Sequence, residues 1–274
     1  MCRFKGMKLL RNSLLVFLVL AVPGQNPVAA QDDLLAQKTP EGMVYVPAGE
    51  FTMGSSRGDM RTTHDIRLFS DAQPEHKVNV LAFYIDKTEV TNAQYKKFCD
   101  VTGQSVPPHW NKTFPVGEEN VAVMRVNWWE AGAYAAWAGK RLPTEAEWEK
   151  AARGTDGRSY PWPDGPQGPL WDAARVVTRQ TKPQIVGTKP EGASPYGALD
   201  MAGNVFEWVA DWYLAYPGST QQLPEFGKLY KVARGGGFDS LPGFPLIYNS
   251  AYRSVARPQN RSEWIGFRCA KDAK

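Results

Sequence analysis

The segment 139–154, GKRLPTEAEWEKAARG, constrains the local structure of this 274-residue chain more than any other stretch. Thr144 is followed three residues later by Glu147, which is the pattern of a capping box at the start of a helix. Gly154 then supplies the residue type that commonly ends a helix, because it adopts left-handed backbone angles without strain. We therefore predict a helix over residues 145–153.

The side chains of this segment have structural rather than chemical roles in our interpretation. Leu142 and Trp148 are expected to pack inward from one face of the helix. The three acidic residues, Glu145, Glu147 and Glu149, stand near the helix start, where negative charge is favourable. We expect them to serve capping and surface roles and not acid–base catalysis.

Two further helices and several strands follow from similar signals. Thr91 is the expected N-cap of a helix over 92–101, and Asn127 that of a helix over 128–138. The alternation of apolar residues in 44–53 predicts a short hairpin around residues 47–49. Strand alternation returns in 76–80 and leads into a second apolar run, 83–86.

The rest of the chain indicates a loop-rich fold. From Thr155 onward, turns and short strands are expected, and Pro161 and Pro163 exclude a regular element around them. The sequence has 25 Gly, 21 Pro and 10 Trp with only 22% charged residues, which favours aromatic packing over a helical bundle. No repeat or linker divides the chain, so we predict a single domain over residues 41–271.

The N-terminus has the pattern of a secretory signal peptide. Basic residues precede the short apolar stretch 14–22, and small residues end at Ala30, the expected cleavage position. A membrane anchor is the alternative, but a bilayer-spanning helix needs roughly 20 apolar residues. We therefore predict a signal peptide over 1–30, a flexible leader over 31–40, and an exported protein with no membrane span after cleavage.

Charge gives no reason to expect a nucleic-acid partner. The formal net charge of the whole chain is +4 at pH 7, and part of it belongs to the basic residues of the predicted signal. The mature chain is therefore close to neutral. A protein that binds nucleic acid through phosphates normally presents a basic surface, so we predict no nucleic-acid partner.

Three more motifs complete an ordered set: GNVFEW at 203–208, RGGGF at 234–238 and GFRC at 266–269. Together with segment 139–154, this set resembles the formylglycine-generating enzyme family, also called the sulfatase-modifying-factor family. The resemblance covers residues 41–270. It implies an α+β fold with little regular secondary structure, similar to C-type lectins and stabilised by calcium, in a bacterial protein exported to the periplasm.

The resemblance also identifies what is missing. Active members carry the pattern RGGSFxC with a second Cys a few residues on, and these two thiolates hold the Cu(I) that oxidises a substrate cysteine with O₂. Here the segment 234–240 reads RGGGFDS, so Ser240 stands at the first Cys position, and 245–250 contains no Cys. Cu(I) is a soft ion that prefers sulfur ligands. We therefore expect no copper and no copper-dependent formylglycine generation.

A calcium site is the second implication of the resemblance. The family's calcium-binding segment matches side chains at Asp200 and Glu207 and backbone carbonyls at Gly203 and Val205. Calcium takes six to eight oxygen ligands, which a tight loop between acidic residues supplies. The alternative is a turn in which Asp200 acts as a cap and Glu207 pairs with an arginine.

A candidate pocket follows from the residues around the lost copper position. In family terms its members are Phe238, Ser240, Tyr252, Arg253 and Arg257. Two or three of the arginines Arg253, Arg257 and Arg268, together with Tyr248 and Tyr252, would recognise a carboxylate or a peptide backbone. The alternative is that these arginines pair with acidic residues such as Asp239 or Glu263, or with the calcium loop.

The remaining cysteines and histidines leave questions open. Cys99 and Cys269 remain after the predicted cleavage, and an exported protein can join such residues in a disulfide. In the animal members of the family, the cysteine matching Cys269 pairs with one at the position of Ala135 here. Three scattered histidines, His64, His76 and His109, are more typical of surface and strand-edge positions than of a metal cluster.

Three functions are consistent with these residues. The first is an accessory or maturation factor that binds a protein or peptide-like substrate. The second is an oxidoreductase of the same family that acts by a non-copper mechanism. The third is a calcium-stabilised, lectin-like binding module.

Overall fold

The computed structural model describes residues 27–55, 69–110, 114–166, 168, 170–240 and 245–273. This part of the chain contains four α-helices: α1 Pro27–Gln37, α2 Asn92–Thr102, α3 Trp128–Trp137 and α4 Glu145–Arg153. It also contains nine strands: β1 Met43–Val46, β2 Gly49–Met53, β3 His76–Val80, β4 Phe83–Asp86, β5 Phe206–Trp212, β6 Lys231–Arg234, β7 Ser254–Ala256, β8 Ile265–Gly266 and β9 Ala270–Asp272.

The strands form three small sheets in a single domain. One sheet has the order β1-β4-β9 and a second pairs β2 with β3, all antiparallel. The third has the order β7-β6-β5-β8, in which only the β5–β8 pair is parallel. Between α4 and β5, the described residues contain only 3-10 turns and isolated bridges, so the predicted mixed fold with little regular structure is confirmed.

The hairpin predicted around residues 47–49 is wrong. Strands occur on both sides of that turn, but β1 pairs with β4 and β2 pairs with β3, in different sheets. Pro47 has no N–H to continue a ladder, so the chain leaves the first sheet there. The alternation of apolar residues identified the strands correctly but contained no information on their partners.

The three predicted helices are confirmed together with their caps. Thr91, Asn127 and Thr144 each accept a hydrogen bond from the backbone N–H three residues on, and each N3 side chain returns a bond. Such reciprocal bonds satisfy N–H groups that a helix start leaves without partners. The helix ends differ from the predicted ones by at most one residue.

Helix α4 differs from the prediction in the environment of its acidic residues. Glu147 completes the capping box and pairs with Arg141, as a capping role requires. Glu145 and Glu149, however, are buried, and both accept from the guanidinium of Arg234, at 2.8 and 2.6 Å. The surface role predicted for them is therefore wrong, because buried arginines need carboxylate partners in the interior.

The segment expected to be a flexible leader forms the second half of α1. Leu35 is buried, its carbonyl accepts from Tyr84 Oη at 2.9 Å, and Asp32 accepts from Tyr45 Oη at 2.5 Å. These contacts hold the helix against the first sheet. The polar composition of the segment did not predict this packing. Most of the predicted signal peptide, residues 1–26, lies outside the described residues, and its boundary at Ala30 stays a prediction.

No helix in the described ranges combines the length and apolar character that crossing a bilayer requires. The core consists mainly of two large clusters of buried residues. One surrounds Trp148 under α4, and the other surrounds Tyr95, Trp208 and Phe267. Leu142 and Trp148 are 5% and 0% exposed, so both pack inward as predicted.

Candidate functional site

The glycine-rich segment after β6 is built for close packing. Gly235 and Gly236 have φ angles of +98° and +84°, which L side chains rarely adopt. A Cβ atom on Gly236 would lie 2.5 Å from Cδ1 of Tyr248, far inside van der Waals contact. The glycines therefore let the backbone turn directly beneath the Tyr248 ring and lead into Ser240.

Ser240 is held by backbone and hydroxyl contacts. Its carbonyl accepts from Thr178 Oγ1 at 3.3 Å, and its N–H donates to the carbonyl of Gly237 at 3.4 Å. Tyr248 Oη lies 2.6 Å from the same Thr178 hydroxyl and donates to the Gly237 carbonyl at 3.1 Å. Ser240, which stands where the resemblance places the first copper-binding thiol, is thus hydrogen-bonded to the loop that contains Thr178.

The five residues of the predicted pocket do not come together in one site. Phe238 packs in a small core cluster, Tyr252 packs edge-on against Phe69, and Arg257 lies 5.7 Å from the centre of the Tyr230 ring on an exposed segment. Arg253 is buried elsewhere. Of the five, Phe238 and Ser240 lie together on the glycine-rich segment and contact the loop of Thr178 and Gln180, whereas Tyr252, Arg253 and Arg257 contact other parts of the molecule.

The contacts of Arg253 explain why it does not join the predicted pocket. Its Nε donates to Glu145 Oε1 at 2.7 Å, and its Nη2 donates to Glu145 Oε2 at 3.0 Å. The guanidinium also lies 4.7 and 4.3 Å from the ring centres of Tyr213 and Tyr216. An arginine this deeply buried is stable only with such a partner. Pairing, the alternative interpretation, is confirmed, but with Glu145 and not with Asp239 or Glu263.

A cleft of about 630 Å³ opens beside the loop that holds Ser240. Its walls come from residues 173–180 and 184–189. One wall is fixed to the glycine-rich segment, because Gln180 N–H donates to the carbonyl of Phe238 at 2.8 Å. Its volume lies in the range of small-molecule and peptide sites. Sequence reasoning missed this cleft, because its residues belong to an irregular loop without a motif.

The predicted calcium loop has a different arrangement from the one expected. Glu207 is fully buried on β5, and its two carboxylate oxygens accept from Arg268 Nε and Nη2 at 2.6 and 2.7 Å. Trp148 Nε1 donates to the same carboxylate at 2.8 Å. Burial raises the pKa of Glu207, and the neighbouring Arg268 guanidinium opposes that shift. Glu207 therefore forms the arginine pair of the alternative interpretation and has no oxygen without a partner.

Asp200 has an unpaired oxygen. Its Oδ2 accepts from the Gly187 N–H at 2.5 Å, while the buried Oδ1 has no partner. Glu89 lies beside it with Oε1 bonded to Asn204 and a buried, unpartnered Oε2. Burial, followed by the charge of Asp200, raises the pKa of Glu89 well above its usual value. Asp200 and Glu89 also interact through a side-chain hydrogen bond, so either a proton shared between the two carboxyls or a cation would satisfy these oxygens.

Of the two predicted side-chain ligands, only Asp200 therefore has an oxygen available for calcium. The described residues contain no group of three or more His, Cys, Asp or Glu arranged to hold a metal ion. Calcium in this loop would depend on Asp200 together with the carbonyls predicted at Gly203 and Val205. Glu207 does not fit as a ligand, because Arg268 occupies both of its oxygens.

Among the described residues, the remaining cysteines and histidines form no shared site. Cys99 and Cys269 are both free and buried in the cluster around Tyr95, so the disulfide considered above is not formed. Burial raises the pKa of the Cys99 thiol to about 11. His76 packs against Tyr216, whereas His109 packs beside Trp110. His64 lies outside the described residues.

Comparison with known proteins agrees with the motifs. The model of the sulfatase-modifying factor enzyme 1-like domain matches residues 30–273. The chain is 31% identical to the formylglycine-generating enzyme of Bos taurus, over 92% of this chain and 78% of that protein. It is also 31% identical to the formylglycine-generating enzyme of Streptomyces coelicolor, over 93% and 97% of the two chains.

A solved structure supports the same conclusion. PvdO from Pseudomonas aeruginosa aligns with a TM-score of 0.67 and 28% identity, over 84% of this chain and 94% of that one. The sequence motifs, the fold and the similarity over nearly the whole chain therefore agree. This chain belongs to the family of the sulfatase-modifying factor enzyme 1-like domain.

Proposed function

We propose that this chain is an exported accessory or maturation factor that binds a protein or peptide-like substrate and does not generate formylglycine with copper. One observation carries the proposal. Ser240 stands where the family's first copper-binding thiol is expected, and the two described thiols, Cys99 and Cys269, are buried in a different cluster. A serine hydroxyl does not replace a thiolate as a ligand for Cu(I).

The surroundings of Ser240 support a binding role. The family framework on both sides of it is intact, with Arg234 and Arg268 fully buried and ion-paired. The loop of Thr178, which contacts Ser240, also lines an open cleft that is large enough for a peptide segment. The predicted signal peptide at 1–30 is consistent with a substrate outside the cytoplasm.

A direct assay tests the absence of copper chemistry. We expect no formylglycine when the purified chain, reconstituted with Cu(I), is incubated with O₂ and a Cys-x-Pro-x-Arg peptide, because the thiolate pair is missing. Mass spectrometry of the peptide is the measurement, and the Streptomyces coelicolor relative is the positive control. Peptide aldehyde from this chain would contradict the proposal, and oxygen uptake without copper would favour the non-copper oxidoreductase.

Co-expression tests the accessory role. The chain and the exported products of its neighbouring genes would be produced together and separately, and the intact mass and activity of each product compared. We expect one product to reach its mature form only when this chain is present. Equal maturation of every product without the chain would contradict the proposed role.

We further propose that calcium binds Asp200 and thereby stabilises the predicted calcium loop. Ligand binding to the native state raises stability by mass action, so chelation should lower the melting temperature of the wild type. Asp200→Asn keeps the acceptor for Gly187 and should remove the difference between calcium and chelator. Glu207→Gln should destabilise equally in both buffers, because its partner is Arg268. Identical wild-type melting curves with calcium and with chelator would contradict the site.

A further inference from the structure

The cleft beside Ser240 has a cationic rim. Arg179 and Lys189 both line it, and no aspartate or glutamate does. The floor is apolar, with buried Val176 and Val177, and Ile185 stands half-exposed at one side. An apolar floor with positive charge at the edge is suited to a ligand that combines a short apolar part with negative charge.

The two rim cations have no partner of their own in the part of the chain that the structure describes. The nearest comparable residues differ in this respect, since Arg175 pairs with Asp172 at 3.1 Å and Lys182 pairs with Glu118 at 2.5 Å. Arg179 and Lys189 therefore remain free to receive an anion. A guanidinium binds a carboxylate through two parallel hydrogen bonds, which adds geometric selectivity to the charge.

The backbone at Arg179 is also unusual. Its φ angle is +57°, a left-handed conformation that is uncommon for a residue with a side chain. The neighbouring bonds impose it, because Gln180 N–H donates to the Phe238 carbonyl and Thr178 Oγ1 donates to the Ser240 carbonyl. The loop is thus fixed so that Arg179 stands at the rim of the cleft, next to the segment that replaces the copper site.

Amide and hydroxyl groups complete the lining. Thr188, Gln180 and Gln184 contribute polar side chains among the cations and the apolar floor. These groups can bond the N–H and C=O groups of a peptide, which a simple inorganic anion lacks. We propose that this cleft binds an acidic, carboxylate-bearing peptide segment, an inference that rests on the proposed binding of a peptide-like substrate.

Defined peptides test the inference on the full chain by calorimetry. The probe is a blocked peptide of sequence Gly-Glu-Ala-Glu-Gly, compared with its Gly-Gln-Ala-Gln-Gly counterpart. We expect the acidic peptide to bind at least about fivefold more tightly, because each exposed ion pair contributes up to about 1 kcal/mol. Added salt should reduce that advantage, since these charges are exposed. Equal affinity for the two peptides, or no binding of either, would overturn the inference.

Variants locate the site. Arg179→Gln and Lys189→Gln should each lower affinity for the acidic peptide by about two- to fivefold. Lys182→Gln is the matched control, because Lys182 lies nearby but does not line the cleft, and it should bind as the wild type does. Unchanged binding by both rim variants would place the peptide elsewhere and overturn the assignment.

Two further arms identify the anion. A glutamine peptide with a free C-terminal carboxylate reports whether the carboxylate is terminal or on a side chain, and binding of either supports the inference. Inorganic phosphate that competes as well as acetate would indicate a general anion site and overturn it. Co-expression separates this inference from the proposed function: unchanged peptide affinity in both Arg179→Gln and Lys189→Gln with maturation intact contradicts only the acidic-ligand assignment, and peptide binding without any maturation contradicts only the accessory role.

Discussion

Gly236 shows how a single residue fixes the geometry beside the candidate site. The backbone takes a left-handed turn there, and the Tyr248 ring lies where a side chain would otherwise be. That ring contacts both the Gly237 carbonyl and the Thr178 hydroxyl. The glycine run of the motif is therefore a packing requirement.

We expect Gly236→Ala to lower the free energy of unfolding by about 2–5 kcal/mol. Left-handed backbone costs an L residue about 1–2 kcal/mol, and overpacking adds about 1–3 kcal/mol. Urea denaturation measures the change. Gly132→Ala is the control, because a Cβ on Gly132 meets nothing within 4 Å in α3, and it should stabilise by about 1 kcal/mol. Equal effects of both substitutions would contradict the packing role.

At the scale of elements, Lys231 joins three of them. It begins β6, and its ammonium lies 3.9 Å from the ring centres of both Trp128, the first residue of α3, and Trp212, the last of β5. Its Nζ also donates to the Ala210 carbonyl at 2.7 Å. Two cation–π contacts offset part of the cost of burying this charge.

Burial nevertheless lowers the pKa of Lys231 to about 8, and this produces a pH dependence. An unfolded lysine titrates near about 10.4, so the unfolded state binds the proton more tightly than the folded state. The free energy of unfolding should therefore rise between about pH 8 and pH 10, by at most about 1.4 kcal/mol per pH unit. Below about pH 8 both states hold the proton, and this contribution no longer changes with pH.

Lys231→Met should remove that contribution. Urea denaturation of the variant and of the wild type at several pH values measures how the free energy of unfolding of each depends on pH. The difference between the two isolates the contribution of Lys231 from that of other titrating groups. Lys77→Met is the matched control, because Lys77 is an exposed lysine and should leave the slope unchanged. A slope in Lys231→Met that equals the wild-type slope would contradict the lowered pKa.

At the scale of the whole molecule, Arg268 connects distant parts of the chain. It pairs with Glu207 on β5 and donates to the carbonyls of Asp86 and Leu199 at 3.0 and 2.8 Å. These partners come from the first sheet, the third sheet and the long loop region between them. A fold with little regular structure depends on such buried polar links, because few ladders connect its parts.

We expect Arg268→Leu to destabilise the protein by about 3–5 kcal/mol, because it leaves the Glu207 carboxylate buried without a counter-charge. The double variant Arg268→Leu with Glu207→Leu should lose less, since it removes both charges. Arg175→Leu is the control, as its pair with Asp172 is partly exposed and should matter by less than about 1 kcal/mol. Chemical denaturation of the wild type, Arg268→Leu, Glu207→Leu, the double variant and Arg175→Leu measures the coupling, and losses that simply add across the two single variants would contradict it.

The sequence by itself determined the local elements. The caps at Thr91, Asn127 and Thr144 predicted three helices to within a residue at each end, because capping is decided by side chains a few positions apart. The ordered motifs also identified the family, whereas the loss of a copper ligand at Ser240 stays a prediction. These features depend on residue type and short spacing alone.

Only the tertiary structure decided which residues meet. The partners of Glu207, Arg253 and the strands β1 and β2 lie at least 23 positions away in the chain, at separations that no local pattern encodes. Burial determined the two ion pairs, because a charge taken out of water needs an opposite charge in the interior. It thereby placed Arg253 beside Glu145 and Glu207 beside Arg268. Among the described residues, Arg179 and Lys189 have no ion-pair partner and line an open cleft.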